Sequence, residues 1–509
     1  MSLLSCMFSW ETLLLCITVV LLIRYYMNQK WQVLCKLGIP HDPPSIRGLG
    51  NLGTILKDPD NIFKMDAINK KKFGYIYGNY NGLIPQITVG DPKILKHIFI
   101  KDFETFPIRQ KIFTKVNGPE LNSGVNLVGG QEWRRIRNTL SPTFSAAKLK
   151  QMMGIIDNCV EHTVEKLRKH VKEDDGEFQT KDIFGSLSLD VICASAFSTN
   201  LYGKDNTESI ETKKMAMKFF DFTISGSPIF LLFYMFPWTE TIAAKLGVTL
   251  FNKECVRYFS SLVDMVIKRR ETSNLKSRTD LLQLMLEAEV PESKITQDSA
   301  KGMSRQEIVG NSLIMMLAGF ETTGNAMMFL AFNLARHMDV QEKLYEEIQQ
   351  ALEEYGSFTY EAVNGMKYLN QCINESLRLY GPLPRNSRYA EKDFNVDGVH
   401  IPKGVMVKVP VYGMSYDEEY WDEPKLFKPE RMEDMSKIDP MVFQPFGAGP
   451  RNCVGMRLAL LEIRVAMCKL LNEFSFEVAS DTPSAPMEVT FKGAMRPKKN
   501  FHLKAVPRN

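Results

Sequence analysis

Pro445-Phe446-Gly447-Ala448-Gly449-Pro450-Arg451-Asn452-Cys453-Val454-Gly455 sets one cysteine in a glycine-rich loop, and the rest of the 509-residue chain is read outward from it. Behind the loop, Leu458, Leu461, Val465, Cys468 and Leu471 recur at helical spacing over residues 456–474. Cys453 therefore stands at a helix N-terminus, where free amide hydrogens and the positive end of the helix dipole favour an anion. A thiolate at that place is a metal ligand. The glycines permit a tight turn and a close backbone approach to something flat, Phe446 adds an aromatic wall, and Arg451 supplies a permanent cation for a carboxylate.

Composition bounds the rest. A chain of this length holds several domains or one large single-cored enzyme. The apolar fraction of 44% beside 24% charged residues is enough for a large core, and a net charge of +4 is too small to argue nucleic-acid binding. The nine cysteines are odd in number and include no Cys-x-x-Cys pair, which favours a reduced, cytosolic setting over a disulfide framework. Seven scattered histidines without His-Glu-x-x-His argue against zinc.

Toward the N-terminus, residues 3–23 form a mostly apolar run, interrupted by Ser5, Ser9, Glu11 and Thr18, long enough to span a bilayer at about 1.5 Å per residue. Arg24, Lys30 and Lys36 follow it and no small-residue cleavage site does, so it reads as a signal anchor with its C-terminal flank in the cytosol. Gly38-Ile39-Pro40-His41-Asp42-Pro43-Pro44 is then a stiff link that cannot continue a helix.

Partial alternation over residues 76–90 predicts a small β-hairpin. Arg109 reads as a solvated loop arginine, with a cationic contact as the alternative. Residues 157–171 and 184–197 read as amphipathic or buried helices. Between 219 and 238, aromatic and aliphatic residues crowd together around Gly226, Pro228 and Pro237, which leave no room for a spanning helix; the run reads as an interfacial or ligand-facing surface. Lys268 to Arg270, with Lys276 and Arg278, reads as a basic exposed segment. Ser304-x-x-Glu307 is a capping box that starts a long helix.

Inside that helix, Ala318-Gly319-Phe320-Glu321-Thr322-Thr323 breaks an apolar pattern. Threonine bonding back one turn and glycine allowing close packing would explain it structurally; holding water and handing on protons would explain it chemically. Glu375-Ser376-Leu377-Arg378 places an acid and a base on one helix face, with Pro429-Glu430-Arg431-Met432 downstream. Asp397-Gly398 reads as a hairpin turn.

Phe446-x-x-Gly449-x-Arg451-x-Cys453-x-Gly455 resembles the haem-binding signature of the cytochrome P-450 superfamily, the haem-thiolate monooxygenases. The apolar N-terminus, proline link, Trp133-x-x-x-Arg137, Ala318–Thr322 motif, Glu375-x-x-Arg378 and Pro429-Glu430-Arg431 occur in the family's order, Met432 standing where phenylalanine is more usual. The resemblance implies a mainly α fold with a large helical body and a minor β region, divided into a membrane anchor (1–27), a proline-rich hinge (28–50) and a monooxygenase domain (51–509). It implies haem b, iron protoporphyrin IX, with Cys453 as metal ligand. Phe446, Gly449, Arg451 and Gly455 would seat it, and Trp133, Arg137 and Arg388 would reach its propionates. Ala318 and Thr322 would face the iron, Gly319 would open room for dioxygen, and Glu321 with Thr322 would deliver protons. Glu375, Arg378 and Arg431 would brace the cysteine loop.

The wording of residues 447–457 and the aromatic run, which in the resembling enzymes roofs the substrate and dips into the membrane, resemble the microsomal drug- and steroid-oxidising, family-three-like group. That implies a body facing the cytosol from the endoplasmic reticulum and a lipophilic substrate receiving one atom of O2. No Rossmann fingerprint or flavin site is present. Electrons are therefore expected from an NADPH-dependent flavoprotein reductase docked on the basic proximal side, with cytochrome b5 as an optional second donor. Two alternatives stand: a haem-thiolate isomerase, which can lack a residue like Thr322, and a membrane-anchored haem binder without turnover, which would consume no NADPH.

Overall fold

An apolar helix opens the computed structural model, which describes residues 10–44, 50, 51, 53, 63–109, 113–199, 207–220, 228–272, 280–296 and 298–508. Residues 1–9 of the expected anchor and 45–49 of the expected hinge lie outside these. Helix α1, Trp10–Trp31, leaves Leu13, Leu15, Val20, Leu21 and Leu22 exposed, and with the turn to Lys36 it is long and apolar enough to cross a membrane. It runs past residue 27, where the hinge was expected to begin, because Met27, Trp31 and Leu34 are buried against the body.

The receiving element is the expected hairpin, β1 (Ile76–Asn81) and β2 (Ile84–Val89). Tyr80 Oη donates to the carbonyl of Trp31 at 2.6 Å and accepts from the amide of Leu34 at 2.9 Å, while Trp31 Nε1 donates to the carbonyl of Gly82 at 3.0 Å.

Helices build most of the body. In chain order they include α2 (Gly130–Leu140), α3 (Ala146–Glu173), α4 (Ser186–Phe197), α5 (Thr207–Phe220), α6 (Pro228–Met235), α7 (Lys253–Thr272), α8 (Arg305–Arg336), α9 (Met338–Tyr355), α10 (Lys367–Tyr380) and α11 (Met456–Glu473). Helix α8 passes the same length-and-apolarity test as α1 but is mostly buried, as a core helix is. Leu187 and Ile192 of α4, Leu313 and Met327 of α8, and Leu461 and Val465 of α11 share one apolar core with α3.

The capping box sets where α8 starts. Ser304 Oγ accepts from the amide of Glu307 at 3.3 Å, and Glu307 Oε2 accepts from the amide of Ser304 at 2.8 Å. The same carboxylate takes Arg135 of α2 in two bonds of 2.9 and 2.6 Å, both residues buried, so the start of α8 is tied to α2.

The strands are minor, as expected. β3 (Glu177–Gln179) joins a small sheet with β8 (Phe474–Val478) and β11 (His502–Pro507), and β9 (Val489–Lys492) pairs with β10 (Ala494–Pro497). β4 (Asn386–Tyr389) and β7 (Met406–Val409) extend the N-terminal hairpin into a sheet of order β1-β2-β7-β4, with Gln86 opposite Met406 in the parallel pair and Arg388 opposite Val407 in the antiparallel one. β5 (Phe394–Val396) and β6 (Val399–Ile401) meet at Asp397-Gly398, both with positive φ, the turn predicted there.

Two expectations change. The basic segment at 268–270 is not wholly exposed: Arg270 is buried and holds Asp280 in bonds of 2.8 and 2.6 Å, while residues 276 and 278 lie outside the described residues. The aromatic run is broken as the prolines required. Helix α6 has eight residues, with Phe233 buried and Leu232 exposed, and Trp238 beyond it is exposed; residues 221–227 lie outside the described ones.

Candidate active site

The cysteine loop is a stack of turns ahead of α11. The amide of Cys453 donates to the carbonyl of Phe446 at 2.8 Å and that of Asn452 to the carbonyl of Gly449 at 3.0 Å. Gly449 has φ +70°, and a Cβ there would lie 2.0 Å from the carbonyl oxygen of Phe99. The close approach expected of this glycine is thus to a neighbouring backbone. Gly455 caps α11 and Phe446 is half-buried against the core.

The thiol of Cys453 is exposed to a water-sized contact, yet dense protein around it pushes its pKa up. The amides of Gly455 and Met456 and the charges of Arg109 and Arg137 act in the opposite direction and do not overcome burial. The helix N-terminus alone therefore does not make the thiolate that the sequence led us to expect. A bound cation would do so, because a coordinating thiol loses its proton outright.

Four guanidiniums converge on this loop. Arg137 of α2 donates to the carbonyl and to Oδ1 of Asn452, at 2.9 and 2.8 Å. Arg451 donates to the carbonyl of Val128 and lies over the ring of Trp133 at 4.5 Å, which gives that tryptophan its place at the site. Arg388 of β4 is fully buried, bonded to Asn386 Oδ1 and the carbonyl of Ser387 and stacked over Phe99 at 4.5 Å. Arg109, read as a solvated arginine, instead donates to the carbonyl of Arg451 at 2.6 Å.

Nε and Nη2 of Arg388, Nε and Nη1 of Arg451 and Nε of Arg109 are buried without a partner. Burial first and mutual repulsion second push Arg388 well below its ordinary pKa and Arg451 down to about 9. Among the described residues no carboxylate pairs with any of the four.

The Ala318–Thr322 segment lies midway along α8. There Ala318 is exposed and Gly319 and Thr322 are half-buried on a helix otherwise buried in this stretch, so an accessible stripe opens in the protein interior. Thr322 Oγ1 donates to the carbonyl of Ala318 at 2.6 Å. Glu321 is buried and points elsewhere: its carboxylate accepts from Lys181 Nζ at 2.7 Å and from Asn325 Nδ2 at 3.2 Å. The room expected at Gly319 is not free on its Cβ side, where a methyl group would stand 2.9 Å from Ile192 Cγ1; the glycine lets α4 approach α8.

Away from these, Glu375 and Arg378 of α10 are fully buried and bonded at 2.7 and 2.8 Å. Arg378 also donates to the carbonyls of Ser415, Pro424 and Leu426, and Arg431 reaches Glu375 at 2.9 Å.

A family model described as Cytochrome P450 matches residues 40–505. Over 509 aligned residues the chain is 37% identical to "Cytochrome P450 3A31" of Mesocricetus auratus, covering 99% of this chain and 98% of that protein. "Cytochrome P450 3A5" of Homo sapiens is 36% identical over 98% and 97% of the two chains, and "Cytochrome P450 3A30" of Fundulus heteroclitus 35% identical over 98% of each. The chain belongs to the cytochrome P450 family. It is by that membership a haem-thiolate monooxygenase, and its mainly helical fold with small sheets is the P450 fold.

The residues present fit a haem. The five orphaned guanidinium nitrogens require a bound polyanion, since burying several cations without one is costly, and a porphyrin's two propionates are such a group. A free cysteine stands beside them. For this P450 the sequence offered Arg109, in an aperiodic stretch, only as the alternative of a cationic contact, and it did not reveal Lys181, whose link to Glu321 spans 140 positions. The doubled arginines beside Trp133 held a signal for Arg135, since two successive residues of a helix face different neighbours. Gly449→Ala is expected to destabilise the P450 by more than the roughly 1–2 kcal/mol of a left-handed backbone alone, because the methyl group also strikes Phe99; thermal unfolding of the purified variant measures it.

Proposed function

We propose that this P450 is a microsomal monooxygenase that inserts one atom of O2 into lipophilic substrates such as steroids, lipids and xenobiotics. Its electrons come from an NADPH-dependent flavoprotein reductase, with cytochrome b5 as an optional second donor. The assignment of the chain to an anchor (1–27), a hinge (28–50) and a cytosolic monooxygenase domain (51–509) at the endoplasmic reticulum is part of the same reading. It is supported by the exposed apolar α1 and by the relatives with which the chain aligns end to end.

The observation that carries the reading is the set of unpaired, buried guanidiniums around a free cysteine, on the same protein as an accessible stripe at Ala318 and Thr322. Haem b held by Cys453 would supply the dioxygen chemistry. Arg388, Arg451, Arg137 and Arg109 would hold its propionates, with Trp133 backing Arg451, and Phe446, Gly449 and Gly455 shape the loop. Thr322 carries a hydroxyl at the accessible stripe, where it can hold a water and pass a proton. Glu321 is held by Lys181 at 2.7 Å, so it would reach the stripe only after leaving that partner.

Thr322→Ala tests the relay. The hydroxyl bonds only within its own helix turn in this structure, so thermal stability should stay within about 0.5 kcal/mol. NADPH consumption with reductase and substrate should continue while most of the electrons appear as hydrogen peroxide. Fully coupled product formation in that variant would remove the relay from the reading.

A further inference from the structure

Lys181, just ahead of α4, and Glu321 of α8 meet a third side chain, Asn325, one helix turn beyond the acid. Lys181 Nζ donates to Glu321 Oε2 at 2.7 Å and to Asn325 Oδ1 at 3.1 Å. Asn325 Nδ2 donates to Glu321 Oε1 at 3.2 Å and to the carbonyl of Met495 at 2.9 Å. Only one orientation of the amide serves its three bonds, since an ammonium can only donate and a carboxylate and a carbonyl can only accept. Asn325 and Glu321 are both buried.

The far anchor of Asn325 is main chain outside α8. Met495 lies in β10, opposite Phe491 of β9, and its own amide donates to the carbonyl of Pro382 at 2.8 Å. Asn325 is therefore fixed from a second side and does not depend on Glu321 for its place. When Glu321 swings toward the stripe, Lys181 loses its carboxylate but keeps Asn325 Oδ1, and Asn325 Nδ2 keeps the carbonyl of Met495. Neither the cation nor the amide is then left without a partner. Lys181 needs one: burial pushes its pKa down, the ring of Phe320 at 5.3 Å gives a weak hold, and the charges of Arg496 and Asp182 acting on it are opposite in sign. An ammonium abandoned in such a place costs far more than one that retains an acceptor.

We propose that Asn325 is the stand-in partner of Lys181, holding the ammonium while Glu321 is away from it, and that this stand-in is what lets Glu321 take part in proton delivery at the stripe. Asn325 is thus a positioning residue, and the inference rests on the monooxygenase reading above.

Turnover of the full-length, haem-loaded protein with reductase, in H2O and in D2O, tests it, with a steroid, testosterone, as the probe. Asn325→Leu should lower kcat about ten- to hundredfold, the range of one hydrogen bond to a charged group, and raise the solvent isotope effect, with KM for the steroid unchanged. Asn325→Asp keeps an acceptor for Lys181 and sets a like charge beside Glu321, so its kcat and isotope effect should stay close to wild type. In a Lys181→Met background no cation needs a partner, and adding Asn325→Leu should change kcat by less than about twofold. Asn325→Ala adds no bulk and takes the place of Asn325→Leu where the latter fails to fold. A wild-type isotope effect in Asn325→Leu, an equal loss in Asn325→Asp, or a full loss in the Lys181→Met background would overturn the inference. A wild type that consumes no NADPH with reductase would instead overturn the monooxygenase reading, and the inference with it.

Discussion

Cys453→Ala is expected to abolish the absorption band that marks a thiolate-ligated haem when the reduced protein is treated with carbon monoxide. The prediction is one of chemistry rather than folding. The backbone bonds that shape the loop, from Cys453 to Phe446 and from Asn452 to Gly449, do not involve the sulfur. The side chain is exposed to the site, so removing it opens no cavity in the core. The arginine cluster stays in place and still attracts propionates, so the variant should retain part of its haem, at lower affinity and without the thiolate spectrum. Haem content by pyridine haemochrome and the carbon monoxide difference spectrum separate the two effects. An unchanged band would sink the assignment of Cys453 as the iron ligand.

Glu375→Ala should cost about 3–5 kcal/mol of stability, the usual penalty for breaking a fully buried ion pair from one side. The carboxylate holds Arg378 in two bonds, Arg431 in one, and the amide of Lys428 at 3.1 Å. Without it the fully buried Arg378 is left uncompensated, although its bonds to the carbonyls of Ser415, Pro424 and Leu426 remain. Those carbonyls belong to the segment that leads into the cysteine loop, so haem retention should fall together with stability. Glu375→Gln keeps the shape but not the charge and should fall between. Denaturant titration of the holoprotein reads the loss, and a shift under about 0.5 kcal/mol would place this pair among surface ion pairs of no consequence.

Legibility in the sequence followed the range of the interaction. The cysteine loop, the capping box at Ser304 and Glu307 and the turn at Asp397-Gly398 are local devices, in which residue type and spacing alone dictate geometry, and each is found where the residues placed it. Glu375, Arg378 and Arg431 could be joined because a helix puts two of them on one face and the third follows in a recognisable segment. Arg109 and Lys181 gave no such signal: each acquires its partner from chain hundreds or scores of positions away, and an isolated cation looks alike whether solvated or buried. Gly319 shows a subtler limit. The sequence correctly singled it out, but which neighbour uses the missing side chain depends on how closely α4 packs, and the answer on that side is Ile192.

The junction between α1 and the hairpin carries a last consequence. Tyr80 and Gly82 grip the end of the apolar helix, and the amide of Leu83 in the same turn donates to the carbonyl of Tyr234 at the end of α6. A chain hung from a slack cord tumbles and shows every side to its surroundings; one clamped at a rigid joint holds a single attitude. On the membrane-anchored reading proposed above, a bilayer around α1 would act as a lever on the body and on the α6 end joined to it, turning a fixed face outward. A membrane-bound electron donor would then search for that face in two dimensions, with its height and tilt already set.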